Sequence, residues 1–124
     1  MIRRTGGKPA AKTDSETRAC ANFMQLIQIL LPLTDNHSNP LPAGLYASIK
    51  KELTQKFGGI TTYANVPAEG RWKSNGEEIH EPIVVYEVMV DGVEKSWWKD
   101  YRIKLEAHFR QEEIIIRALP MQQL

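Results

Sequence analysis

With 124 residues, 42% of them apolar and 25% charged, and a formal net charge of +1, the chain has the makings of one domain with an adequate core. So even a balance argues against a protein whose main work is to hold phosphate backbones, and no run approaches the roughly 20 apolar residues of a membrane span.

The neutrality conceals an asymmetry. Residues 1–21 carry Arg3, Arg4, Lys8, Lys12 and Arg18 against Asp14 and Glu16, a net +3 that leaves −2 for the remainder. This segment is rich in Gly, Ala, Lys, Thr and Ser without periodicity and reads as a disordered basic arm ahead of a single domain over residues 22–124. It lacks the apolar centre of a secretory signal, and the single Cys20 has no internal partner. Both features point to a soluble protein of a reducing, cytoplasmic compartment.

The first predicted strand is Met24–Leu31, ended by Pro32 and followed by a polar loop through Asn39-Pro40. A helix begins at Pro42, a residue suited to a first helical turn, and aligns Leu45, Ile49, Leu53 and Phe57 on one stripe. Gly58-Gly59 supplies its left-handed cap. A long hairpin follows, running through Gly70-Arg71-Trp72 to an Asn75-Gly76 turn and back through Glu81-Pro82 into Ile83–Val90. Pro67 and Pro82 each remove a ladder donor, so a kink or bulge is expected near both, with the hairpin projecting beyond the sheet. Asp91 and Glu94 have the spacing of a capping box for a second helix, in which Trp98, Tyr101, Leu105 and Phe109 recur at helical intervals. The final strand spans Glu113–Leu119 and stops at Pro120.

This order, β-α-β-β-α-β, predicts an α+β, ferredoxin-like fold: a four-stranded antiparallel sheet with two helices on one face. Strand parity places Ile27, Ile29, Leu31, Val84, Tyr86 and Val88 on one side. Leu26, Leu30, Ile83, Val85 and Met89 fall on the other. Two helices cover only one face, and a large apolar surface is rare on a monomer, so a second copy packed sheet to sheet is the expected cover. Within that second face lie Gln28, Glu87 and Arg117, a polar row that is either a salt bridge fixing dimer register or the floor of a ligand pocket.

The remaining candidates come from the hairpin. Arg71 is expected to pair across it with Glu81, beside the broad surface of Trp72 and near Gly70. Tyr63 and Tyr86 are candidate proton relays, Glu81 and Glu87 candidate general bases, and Arg71 and Arg117 candidate anion partners. Together Gln28, Tyr63, Arg71, Trp72, Glu81, Tyr86, Glu87 and Arg117 form the candidate pocket. The widely spaced His37, His80 and His108 give no metal-ligand pattern, and there is no Walker loop, dinucleotide fingerprint or nucleophile elbow. No metal or cofactor is therefore expected, and no catalytic residue is assigned.

The elements Phe57-Gly58-Gly59-Ile60-Thr61, Gly70-Arg71-Trp72, Gly76, Glu81-Pro82 and Phe109-Arg110-Gln111-Glu112 resemble those of a family of small bacterial proteins of unknown function. The resemblance covers roughly residues 24–119, with a departure at the insert around Val66-Pro67-Ala68. It implies a fold of the dimeric α/β-barrel type and carries no activity with it.

Two functional classes follow. The first is a homodimer that binds a small molecule or another protein. The second is a cofactor-independent enzyme acting on a small, partly apolar substrate at the sheet face. RNA binding is disfavoured, because the central strands lack the stacking aromatics in a basic surround that RNA-recognition sheets use.

Overall fold

The computed structural model describes residues 23–124, except for the side chains of 64–68, 72, 74 and 79. The basic segment 1–21 and Cys20 lie outside the described residues. The chain is α+β: strands β1 (Phe23–Pro32), β2 (Thr61–Ser74), β3 (Glu77–Val90) and β4 (Ile115–Gln122), with helices α1 (Ala43–Phe57) after β1 and α2 (Lys95–Phe109) after β3. All four strands join one antiparallel sheet in the order β2-β3-β1-β4.

Alternation along the strands decides which face is buried. Ile27, Ile29, Leu31, Val84, Tyr86 and Val88 are at most 3% exposed and meet Ile49 and Leu53 of α1 and Trp98, Tyr101, Leu105 and Phe109 of α2. Among the described residues no charged residue is buried with them, and of the buried aromatics Tyr101 sends its hydroxyl out to Glu52 at 3.0 Å. Tyr86 belongs wholly to this core and does not line the other face, which removes it from the candidate pocket. Its parity with Val84 and Val88 is the reason.

At the end of α1, Gly58 sits at φ 87° with its N–H donated to Thr54 O, the left-handed cap that glycine tolerates best. The predicted capping box of α2 does not form. The N-cap is Glu94, with no side-chain cap bond, so Asp91 lies too far ahead of the helix to serve its first N–H groups. Aromatic packing ties the two helices together. Phe57 stacks on Trp98 at 5.3 Å and Trp97 on Tyr101 at 4.9 Å, while Lys56 lies 4.7 Å above the Trp97 ring. Trp98 is therefore a core residue, and Trp97 is a half-buried rim residue roofed by a cation.

The hairpin turns at Asn75 and Gly76, both at positive φ (53° and 82°), as a two-residue primed turn requires. Its ladder breaks between Tyr63↔Val85 and Ala68↔Ile83, so that residues 64–67 of β2 stand against Val84 alone. The break falls at Pro67, as expected for a missing donor. Pro82 causes none. Its carbonyl accepts the Leu33 N–H at 3.1 Å, so its donorless nitrogen points the same way, past the end of β1, and the β2 ladder loses nothing. From Glu69↔Pro82 to Ser74↔Glu77 the hairpin runs on without a third strand, an arm about 20 Å long at roughly 3.4 Å per residue.

The last strand also departs from expectation. It starts at Ile115 and continues through Pro120 to Gln122. Because β4 is an edge strand, the missing N–H of Pro120 can face outward at no cost to the ladder with β1.

Candidate functional site

The face away from the helices carries the candidate polar row. The register pairs Gln28 with Glu87 on one side and with Arg117 on the other, which sets three polar side chains in a line across β3, β1 and β4. Tyr63 joins from β2, one diagonal step from Glu87. The line is continuous. Tyr63 Oη donates to Glu87 Oε1 at 3.1 Å, Gln28 Nε2 donates to Glu87 Oε2 at 2.7 Å, and Arg117 Nε donates to Gln28 Oε1 at 2.7 Å.

The chemistry of the ends fixes the middle. A carboxylate only accepts and a guanidinium only donates, so the Gln28 amide has one self-consistent orientation, NH₂ toward Glu87 and oxygen toward Arg117. Arg117 and Glu87 thus do not touch, and the direct salt bridge weighed from sequence is replaced by an amide relay. Nor are they fully buried. Arg117 is exposed and Glu87 half-buried, and the neighbours on this face are the half-buried Leu26, Leu30, Val85 and Met89 and the exposed Ile115 and Leu119. Tyr63, 46% exposed, has its phenol held above its usual range by the hydrogen bond to Glu87 and that carboxylate's charge.

The hairpin residues do not join this row. Cross-strand pairing sets Arg71 opposite His80 and Gly70 opposite Glu81, so Arg71 and Glu81 point to opposite sides and the predicted pair does not form. Arg71 instead reaches Glu69 at 2.7 Å and Glu78 at 3.5 Å. His80 lies between the same two carboxylates, 3.1 Å from Glu69 and 2.6 Å from Glu78. Sequence reading missed this exposed cluster. Its signal was the paired i, i+2 spacing of Glu69 with Arg71 and Glu78 with His80 on facing strands. The Trp72 side chain is outside the described residues.

Glu81 lies at the root of the arm, opposite Gly70, and burial pushes its carboxyl upward. Nearby, Tyr46 donates to Pro32 O at 2.5 Å, and burial, followed by the fields of Tyr86 and Glu81, pushes its phenol up to about 12.

On the other side of the molecule, a depression of about 280 Å³ between the helices is lined by Leu45, Ile49, Glu52, Lys104 and Leu105 among others. Its charges satisfy one another: Glu52 takes hydrogen bonds from Tyr101 at 3.0 Å and Lys104 at 2.5 Å. Ser48 and His108 also line it. Among the described residues no group of three His, Cys, Asp or Glu side chains is placed to hold a metal, and no helix is long and apolar enough to cross a membrane.

No family model and no curated protein matches the chain. Among solved structures it is similar to a phage SAM lyase in complex with S-methyl-5'-thioadenosine, with a TM-score of 0.54 and 13% identity over 81% of this chain and 90% of that one. The apo state of a phage SAM lyase superposes at a TM-score of 0.49 with 16% identity, over 83% of this chain and 85% of that one. At such identities the likeness is one of fold.

Proposed function

We propose that the chain is a homodimeric, ferredoxin-like domain of the dimeric α/β-barrel type that holds a small molecule on its open sheet face. It would then sit with the small bacterial proteins whose Gly-x-Thr, Gly-x-Trp and Glu-Pro elements it shares. The element order and the strand order β2-β3-β1-β4 support the fold assignment. The observation that carries the functional reading is the hydrogen-bonded row Tyr63, Glu87, Gln28 and Arg117 laid across an otherwise apolar and half-exposed face. A few convergent polar groups on an apolar bed are the usual makings of a ligand site.

The row has an anion at one end and a cation at the other. It therefore suits a ligand with a positive centre for Glu87, a carboxylate for Arg117 and an apolar or aromatic body to lie over Leu26, Leu30 and Val85. S-adenosylmethionine has all three, as a sulfonium compound with an amino acid end and an adenine ring. Calorimetric titration with S-adenosylmethionine and with S-methyl-5'-thioadenosine tests the reading. Binding of either that disappears in Glu87→Gln supports it, and binding indifferent to Glu87→Gln and to Arg117→Met counts against this face.

The fold likeness to a lyase favours a second reading, a cofactor-independent enzyme using the same row. In it Glu87 takes a proton from the carbon next to the one bonded to sulfur, and the C–H electron pair forms a carbon–carbon double bond. The C–S bond breaks with its electron pair on sulfur, and a neutral thioether and an alkene leave. Tyr63 would relay the proton and Arg117 hold the carboxylate. Incubation with S-adenosylmethionine and chromatography for S-methyl-5'-thioadenosine separates the two readings. Release of the thioether that stops in Glu87→Gln makes the chain an enzyme, and binding without release leaves the first reading.

A further inference from the structure

We infer that the two copies dock with their strands aligned and the two-fold axis running along β1 beneath Gln28, so that Glu87 of each copy faces the partner's Arg117. The inference rests on the homodimer reading above and specifies its geometry.

The row is ordered by sign about its own midpoint. Gln28 is flanked by Glu87 on β3 and Arg117 on β4, each one strand spacing away, about 4.8 Å. A two-fold axis along the strands at Gln28 exchanges those two positions and lays anion over cation twice. The apolar levels obey the same exchange. Leu30 pairs with Val85 on one side and Ile115 on the other, and Leu26 with Met89 and Leu119, so apolar side chains meet apolar side chains on both levels. The face is thus complementary to itself in this orientation. It also covers Ile115 and Leu119, which are 48% and 40% exposed.

The competing orientations fail on charge. An axis running across the strands sets Glu87 over the partner's Glu87 and Arg117 over the partner's Arg117, and like charges facing across an interface are strongly disfavoured. A right-angled crossing leaves both charges over apolar neighbours. Aligned packing is in addition a common mode for two sheets meeting face to face. The consequence for the site is that it is shared: a ligand at the Tyr63 and Glu87 end of one copy lies between the two sheets with its carboxylate on the partner's Arg117. The apolar levels meet directly only where no ligand lies, and a dimer holds two equivalent sites.

Cross-linking reads the orientation directly. Facing sheets lie about 10 Å apart, beyond the roughly 4.4–6.8 Å Cα separation of a disulfide, so a short bismaleimide is the reagent. In a Cys20→Ser full-length chain, Glu87→Cys and Arg117→Cys are prepared singly and co-expressed, with sedimentation run alongside. The expected result is a covalent dimer from the co-expressed pair and none from either variant alone. Val85→Cys with Ile115→Cys repeats the measurement with the polar row intact, so that loss of association in the first pair does not decide the outcome. Cross-linking of each single variant with itself overturns the orientation while leaving the face. A dimer that neither pair cross-links shows association through another surface, and a monomer in sedimentation removes the homodimer reading itself.

Discussion

The two faces of the one sheet are made by the same strands, residue by alternate residue, and they differ in kind. Beneath the helices, Ile27, Ile29 and Leu31 meet Val84, Tyr86 and Val88, and among the described residues no charged residue is buried with them. On the open side the intervening positions spell apolar, polar, apolar: Leu26, Gln28, Leu30 on β1 and Val85, Glu87, Met89 on β3. A close-packed apolar layer is where stability accumulates, because it needs no exact partner for each atom. The polar row is the reverse case. Each of its groups is useful only with its neighbour in place, which suits recognition better than cohesion.

The contrast breaks first, and most visibly, at the covered face. Leu105 is 1% exposed at the centre of the helix layer, so Leu105→Ala should cost about 2–5 kcal/mol in chemical denaturation. Leu26→Ala on the half-exposed face should cost clearly less in a dilute sample, and equal losses would mean that the open face is as fully packed as the other.

Next in size is the relay. Gln28→Leu removes both bonds at once and should destabilise by about 1–2 kcal/mol, since each net hydrogen bond contributes roughly 0.5–1.5 kcal/mol and the row is partly solvated. In a sample dilute enough to be monomeric, a double-mutant cycle of Glu87→Gln with Arg117→Met should show less coupling than either has with Gln28, because within one chain the charged groups communicate through the amide. Strong direct coupling would show that the two charges meet.

Smaller still is the effect at Tyr63. Its phenol is raised by the bond to Glu87, so in Glu87→Gln its ultraviolet titration should move back down toward the ordinary tyrosine value. An unmoved titration would place the ring elsewhere.

The smallest effect concerns Glu81. Burial raises its carboxyl, so the folded chain holds that proton more tightly than the unfolded one, and stability falls as pH rises from about 4.5 through the raised value. Glu81→Gln should abolish that decline and slightly raise the melting temperature at neutral pH, with no gain at pH values below the window. A loss at neutral pH would mean that the charged form has a partner.

Much of this was legible before any coordinates. Parity alone sorts β1 and β3 into two faces, because a strand repeats every two residues, and the strand order then lines up Arg117, Gln28 and Glu87. What parity could not supply was anything that depends on counting through β2. The four residues set against Val84 break the count between Tyr63 and Ala68, so the closeness of Tyr63 to Glu87 was not foreseeable. Arg71 and Glu81 lie on the turn side of that break, where the two-residue turn alone sets Arg71 opposite His80, and the expected pair ignored that count. Tyr86 shows a different failure: chemical suitability suggested a site where its own strand position had already assigned it to the core. Pro120 was read as a stop because proline breaks central strands, whereas an edge strand has a side on which a donor is not needed.

That last feature bears on how molecules of this protein meet at high concentration. A sheet's edge is a template on which a foreign strand can crystallise, and fibrils grow by repeating that step without end. Here one edge is interrupted at Pro120 and the other where β2 loses step with β3. An incoming strand finds a continuous row of hydrogen-bonding groups along neither, so sideways growth is arrested at its first layer. Concentrated solutions should accordingly stay free of thioflavin-binding material, and Pro120→Val is the single change expected to bring it closest to appearing.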